Sequence, residues 1–432
     1  MLRLAFPLLL FNTLQCLLIF SDNFFSARIS STVLAASSLF SLVYLCITAI
    51  ANGISIASQT LISSRIGRTS PHVSSYTISS FIVTFSFAIP LFFLVKTLLF
   101  DISSILSSDQ EIQKIIYNYL DSRIYGIFPL FTFAVVKAFL ISYKKTIFIF
   151  ISGGISVFCN CGLNAIVVYS DISFFDKISF LALSSCLSEF IGLIPILFCL
   201  NKIKKKEISL RIIKKASMRS AKNSILIASQ NFLSIITWLF FFFRIGAFGI
   251  EGLAVANVMR VIMVIMFIPI NTFSYCTNTL VAESTGKSEI SLSKIINEGI
   301  KWTLYSCCFI SIIIILLWQD IMTLFGIQSF EYSSVYTGFL VLCSCLVAAI
   351  SSNYQYALLA IDETKKATFI LLVTSLLYVL YIEFTYQCHL KYSFFGGCEY
   401  LYWIIIGLMS FSSIKKSKIF IICKTCSKEW FR

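Results

Sequence analysis

Runs of apolar residues long enough to cross a bilayer recur from one end of this chain to the other, and they leave few folds open. Roughly 20 apolar residues in a helix span the hydrocarbon core of a membrane. Inside that core every backbone N–H and C=O must find a partner within the protein, so only helices or a closed barrel can cross. A barrel would show short segments of alternating polarity. The runs here are continuous, which calls for helices. Composition agrees, with 58% of residues hydrophobic and 12% charged, about half the charge of a soluble domain. The spacing predicts twelve spans, at residues 5–26, 33–62, 74–99, 113–141, 146–170, 178–202, 222–245, 250–282, 297–318, 333–361, 366–386 and 398–412. The first apolar run continues into a polar-striped segment ending near Asp22, with no small-residue cleavage site, so it reads as a span rather than a signal peptide.

The formal charge of +14 invites a nucleic-acid reading, but its distribution argues against one. With the N-terminus inside, Arg3, Arg65, Arg68, Lys144, Lys145, the bases from Lys202 to Lys222, Lys287, Lys294, Lys301, Lys365, Lys366 and the bases from Lys415 to Arg432 fall on the cytoplasmic side. Arg28, Lys96, Lys114, Lys177, Arg244 and Lys391 fall outside. A bias of roughly four to one satisfies the positive-inside rule and sets both termini in the cytoplasm. The remaining role of the bases is attraction to anionic lipid headgroups. The fifteen cysteines show no repeated ligand spacing. Cys423 and Cys426 make half of a zinc site without its other half, with His72 and His389 far away.

The chain also repeats itself at an offset of 219 residues. Leu34 and Ala35 recur as Leu253 and Ala254, Ser55 as Ser274, Thr60 and Leu61 as Thr279 and Leu280, and Gly67 as Gly286. Gln59 meets Asn278, and Asn12 meets Asn231. A duplicated half-chain of apolar helices is the mark of a secondary transporter with its site between two lobes. Six spans per half is an even number, so both halves enter the membrane in the same direction, and a pseudo-two-fold axis along the membrane normal follows. The expected domains are an N-terminal six-helix lobe at 1–202, a basic cytoplasmic linker at 203–221, and a C-terminal six-helix lobe with a basic tail at 222–432.

Polar residues at helical spacing mark candidate functional faces. In the second span Ser41, Thr48, Asn52, Ser55 and Gln59 share one face, and in the eighth Asn257, Arg260, Asn271, Ser274 and Asn278 do the same. Interhelical hydrogen bonding alone explains either stripe; their recurrence at equivalent repeat positions favours two facing walls of a substrate cavity. Asn12, Gln15 and Asp22 lie on one side of the first span. Asp22 sits about 25 Å along that helix, where an aspartate costs about 2.5–3.5 kcal/mol and is a functional candidate by default. Its repeat partner is Phe241, so the two halves differ at this point. Asn160 and Asn164 in the fifth span are one turn apart and can aim two amide oxygens at one place. Amide and carboxylate oxygens suit a hard cation such as Na⁺, and a desolvated carboxylate can also take up a proton. Glu189 in the sixth span either joins this site or pairs with Lys137 of the fourth, and Arg260 either meets an anionic group in the cavity or caps a carbonyl. The seventh and tenth spans hold no acid within their apolar runs, which places the ion site in the first lobe alone. No P-loop, HExxH or GxSxG appears. The chain is therefore read as a transporter and not an enzyme, with no cofactor beyond a coupling ion, Na⁺ or H⁺.

Several stretches together resemble the multidrug and toxic compound extrusion (MATE) family. They are SDNFFSARI at the end of the first span, LAASSLF and ASQTLISSRIGR in the second, YLDSRIYGIFP opening the fourth, IEGLAVANVMRVIMVIMFIPINTFSYCTNTLVAESTGK in the eighth and GGCEYLYWIIIGLMS in the twelfth. The resemblance implies two rocking six-helix lobes that export amphipathic, often cationic compounds in exchange for Na⁺ or H⁺. It places Asp22 on the family's first-helix aspartate and Asn160 on its fifth-helix asparagine, and puts Asn164 where many members carry a second aspartate. A seventh-helix glutamate and a tenth-helix aspartate of one branch have no counterpart here. The expected partners are a small amphipathic substrate and membrane lipid, with no nucleic acid; the expected form is a monomer in a bacterial inner membrane. A flippase for lipid-linked saccharide precursors is a rival reading, disfavoured by twelve spans and few internal bases. A non-transporting membrane scaffold is a second rival, disfavoured by the polar-lined helices.

Overall fold

A computed structural model describes residues 1–201, 207–246, 250–287, 292–324, 332–388 and 396–417. All regular structure among them is helical. The helices in chain order are α1 (Leu2–Ile29), α2 (Ser31–Gly67), α3 (Val73–Thr97), α4 (Leu99–Leu106), α5 (Gln110–Arg123), α6 (Ile127–Ser142), α7 (Ile147–Tyr169) and α8 (Phe174–Asn201). They continue as α9 (Leu210–Gly246), α10 (Ile250–Lys287), α11 (Leu292–Leu316), α12 (Trp318–Leu324), α13 (Tyr332–Ala360), α14 (Thr364–Gln387) and α15 (Gly396–Lys416). Twelve membrane-length apolar segments occur among the described residues, one at each expected span, with α5, a short 3-10 turn and α6 together forming the fourth. The last span, the shortest expected, is a full 20 residues, Gly397–Lys416. The paired cysteines of the tail, Cys423 and Cys426, lie outside the described residues, as do His389 and Lys391.

Two compact units divide the chain, with boundaries that differ from the expected ones. The first comprises Leu2–Ile62 and Ser70–Ala228; the second comprises Met1, Ser63–Thr69 and Ser229–Arg432. The segment expected as a linker, 203–221, is helical from Leu210 onward and continues unbroken as α9. Its run LRIIKKASMRS alternates apolar and basic residues at helical spacing, so a helix can turn its bases toward water and its isoleucines inward; Ile213 is buried.

The first unit packs α2, α3, α5, α6 and α8 around a core that includes Ile47, Ala51, Ile115, Ile116, Phe131 and Val135. Against this core α2 approaches α9 closely: a Cβ at Gly53 would stand 2.6 Å from the Ala228 backbone nitrogen, so only glycine allows that spacing. The core of the second unit is built from α10, α11, α12 and α13, with Met266, Ile270, Cys307, Cys345 and Ala348 at its centre. Within this unit the repeat-related Gly67 and Gly286 meet each other. A Cβ on Gly67 would lie 2.1 Å from the Glu283 carbonyl oxygen, and one on Gly286 would lie 2.3 Å from that of Ser64.

The two halves also share a turn that the ungapped sequence repeat did not display. After α6, Lys144 adopts φ 58° and the Lys145 N–H returns to the Leu140 carbonyl at 2.8 Å. After α13, Asp362 adopts φ 68° and the Glu363 N–H returns to Leu358 at 3.2 Å. Both close a helix with one left-handed residue, at an offset of 218 rather than 219 residues.

Candidate ion-binding site

Three helices of the first unit bring their polar faces to one point. Asp22 comes from the C-terminal part of α1, Asn160 and Asn164 from successive turns of α7, and Ser184 and Ser185 from α8. The Asp22 Oδ1 accepts hydrogen bonds from Asn160 Nδ2 at 3.0 Å, Asn164 Nδ2 at 3.0 Å and Ser185 Oγ at 3.2 Å. Asn160 Oδ1 in turn accepts from Asn164 Nδ2 at 3.1 Å and from Ser21 Oγ at 3.1 Å. The Ser184 hydroxyl donates to Asn164 Oδ1. Both asparagines are 0% exposed, so their amides are committed to this network, while Asp22 is half-buried. The helical spacing of Asn160 and Asn164 is what aims both amides at a single carboxylate oxygen. The structure brings together Asp22, Asn160 and Asn164, which the sequence singles out, and adds Ser21, Ser184 and Ser185, which it does not, since serines are common in membrane spans and none of these stands out by spacing.

One turn further along α8 lies a second, separate pairing. Arg123 Nη2 binds Glu189 Oε1 at 2.5 Å, Tyr44 Oη donates to the same carboxylate at 3.4 Å, and the guanidinium lies 4.0 Å from the centre of the Tyr44 ring. Arg123 is the last residue of α5, immediately before the 3-10 turn Ile124–Gly126. A Cβ on Gly126 would come within 2.5 Å of Arg123 Nη1, so glycine there leaves room for the guanidinium. Glu189 was expected either in the ion site or paired with Lys137. It is paired instead with Arg123, because α8 packs against the end of α5 and the turn that follows it.

The proposed cavity residues divide. Gln15, Asn52 and Asn271 are partly exposed, and Arg260 is exposed, 6.0 Å from the ring centres of Trp238 and Phe242. Gln59 and Asn278, expected to face the same cavity, are 1% and 0% exposed. The Gln59 backbone carbonyl accepts from Ser142 Oγ of α6 at 3.3 Å, and Asn278 Nδ2 donates to the Tyr356 backbone carbonyl of α13 at 3.1 Å. Ser55 behaves likewise, donating to the Ala134 carbonyl at 2.7 Å. The Ser55 and Asn278 side chains of the two stripes thus supply interhelical hydrogen bonds. Among the described residues no group of three or more histidine, cysteine or acidic side chains could hold a metal ion.

Known proteins share this fold. The sequence profile of the MatE family matches residues 7–169, the stretch that carries Asp22, Asn160 and Asn164. No curated protein matches the chain in sequence. Among solved structures, the chain is similar to an outward-facing multidrug resistance MATE family transporter of the MOP superfamily, with a TM-score of 0.84 and 17% identity over 98% of this chain and 96% of that one. It is similar to a MATE protein in its bent conformation, with a TM-score of 0.84 and 16% identity over 99% of this chain and 96% of that one. A MOP superfamily transporter from Pyrococcus furiosus matches with a TM-score of 0.83 and 15% identity over 100% of this chain and 96% of that one; reversed polarity of its binding pocket is described as suggesting a different function for it. The MatE profile thus spans the helices that hold the carboxylate and both asparagines, and along its length the chain has a fold similar to that of solved MATE transporter structures.

Proposed function

We propose that the protein is a secondary antiporter of a bacterial inner membrane that exports amphipathic, cationic drugs or metabolites in exchange for Na⁺ or H⁺, with Asp22 as the coupling residue. The observation that carries this reading is the balance of charge around Asp22. Arg123 pairs directly with Glu189 and its charge also reaches Asp22, so two carboxylates share one base, and the hydrogen bonds to the Asp22 carboxylate come from amides and a hydroxyl. One uncompensated negative charge inside a bundle calls for one monovalent cation. The oxygens of Asn160, Asn164, Ser184 and Ser185 around it are hard ligands of the kind Na⁺ takes, and a proton on the carboxyl would equally neutralise the charge. Exchange then follows simply: substrate and cation compete for a lobe that closes only when its carboxylate is neutral, an equilibrium that either ligand can bias.

The test is transport in vesicles holding the purified protein, with imposed Na⁺ or H⁺ gradients and a small panel of amphipathic cationic dyes. One gradient drives efflux by the natural protein, and that identifies the ion. Asp22→Asn preserves the side-chain shape, so the variant folds and inserts but loses gradient-driven efflux. Undiminished efflux in a well-expressed Asp22→Asn protein would overturn the assignment.

A further inference from the structure

The second unit holds a buried carboxylate that the reading above does not use. Glu399 lies in the first turn of α15 and is 9% exposed. Its Oε1 accepts a hydrogen bond at 2.9 Å from the Tyr378 hydroxyl of α14, whose residue is 3% exposed. Tyr402, one turn along α15, shares a hydrogen bond at 3.2 Å with Ser234 of α9. Cys398, the residue before Glu399, and Cys345 on α13 are both 0% exposed. Ion pairs among the second unit's described residues join other acids: the N-terminal amine of Met1 with Glu298, Arg244 with Glu383, Lys287 with Glu283 and Lys366 with Glu363.

The position of this pair within the repeat adds a second, independent observation. Lys144 and Asp362 close equivalent turns 218 residues apart, and the same register carried into the next helix sets Tyr378 of α14 at the place of Asn160 in α7. Asn160 donates to a carboxylate on α1, and Tyr378 donates to one on α15. Phe241 stands where the repeat would put an aspartate, and the acid comes from the last helix of the unit instead. The second half thus keeps a donor-to-carboxylate contact while changing the helix that supplies the acid.

The chemistry of the surroundings decides what such a carboxylate can bind. An ionised carboxylate in a bundle costs several kcal/mol unless a cation or several donors offset it. A metal cation needs a cage of oxygen ligands, but among the described residues the side chains that act on the Glu399 carboxylate include the Tyr378 phenol and the Trp403 indole, neither of them a carboxylate or an amide. A neutral carboxyl fits better, because its carbonyl oxygen accepts from Tyr378 and its hydroxyl is left to donate. We propose that Glu399, hydrogen-bonded to Tyr378, is a proton-binding site of the second unit, distinct from the Asp22 site. The assignment rests on the transport reading only in making the bound proton one that is exchanged with water as the transporter works; proton binding itself is tested without transport.

The experiment is infrared difference spectroscopy, between acidic and alkaline buffer, on the full-length protein in liposomes with no ion gradient. The proton is the probe. The natural protein is expected to show the carbonyl band of a protonated carboxyl that rises as the buffer is acidified. Glu399→Gln removes that band and lowers proton uptake by one per molecule, whereas Asp22→Asn leaves it in place. Tyr378→Phe keeps the carboxyl but shifts the band, because the hydrogen bond to it is gone; this variant also decides the matter should Glu399→Gln fail to fold. A band that is the same in Glu399→Gln as in the natural protein, or unmoved in Tyr378→Phe, overturns the assignment. Failure of Asp22→Asn to abolish efflux bears on the first-unit reading alone.

Discussion

Asn164→Asp tests the geometry around Asp22 most directly. In the natural protein the Asn164 amide donates to Asp22 Oδ1 at 3.0 Å. Replacing it puts a carboxylate oxygen where the donor stood, at the same separation. Two unit charges 3.0 Å apart repel by about 5 kcal/mol at an effective dielectric constant of about 20, and the lost hydrogen bond to a charged group adds about 1.5–3 kcal/mol. The pair escapes most of this by keeping one proton between its members. The sign with respect to pH follows. The repulsion exists only while both carboxylates are ionised, so the variant falls furthest below the natural protein in alkaline buffer, and the gap narrows as pH falls. Two measurements read this out: thermal unfolding in detergent as a function of pH, and dye efflux against pH at a fixed gradient. The unfolding midpoint of Asn164→Asp is expected to converge on that of the natural protein under acidic conditions, and its efflux profile is expected to gain a further proton-dependent limb. Superimposable efflux profiles, together with a stability difference that ignores pH, would refute the reasoning, because Asn164 would then be remote from the charge on Asp22.

Removing one member of the Arg123–Glu189 pair leaves a charge stranded in the bundle, which costs about 3–5 kcal/mol. Arg123→Met is therefore expected to lower the unfolding midpoint markedly and Arg123→Met combined with Glu189→Leu to restore most of it; an Arg123→Met protein as stable as the natural one excludes a structural role for the pair. Gly286→Ala pushes a methyl against the Ser64 carbonyl, a backbone atom that cannot rotate away, and overpacking of this kind costs about 1–3 kcal/mol. Gly67→Ala strains the same contact, so the double variant is expected to lose less than the sum of the two single losses; additive losses, measured by thermal unfolding, count against the reciprocal contact.

The sequence by itself determined what repeats along a line. Apolar runs of bilayer length located all twelve spans, since a helix in lipid must be apolar over a set length whatever its neighbours are. The repeat was visible because Ser55, Gln59 and Gly67 recur in type or chemistry as Ser274, Asn278 and Gly286. Asp22, Asn160 and Asn164 were legible because an acid in a span is costly and two amides one turn apart must share a face. Only the tertiary structure decided which faces meet. A polar stripe shows that residues lie on one side of a helix but not what covers that side, so nothing in the spacing shows that Gln59 and Asn278 are buried while Asn52 and Asn271 on the same stripes are partly exposed. The partner of Glu189 could not be read either, because Lys137 and Arg123 are both basic residues of the fourth span and the break in helix at Ile124–Gly126 chooses between them. Glu399 went unremarked for the same reason: its significance lies in Tyr378, 21 residues away and brought close only when α14 and α15 pack. Hydropathy is set residue by residue along the chain, whereas helix rotation and neighbour choice arise from contacts between segments, which no single segment encodes.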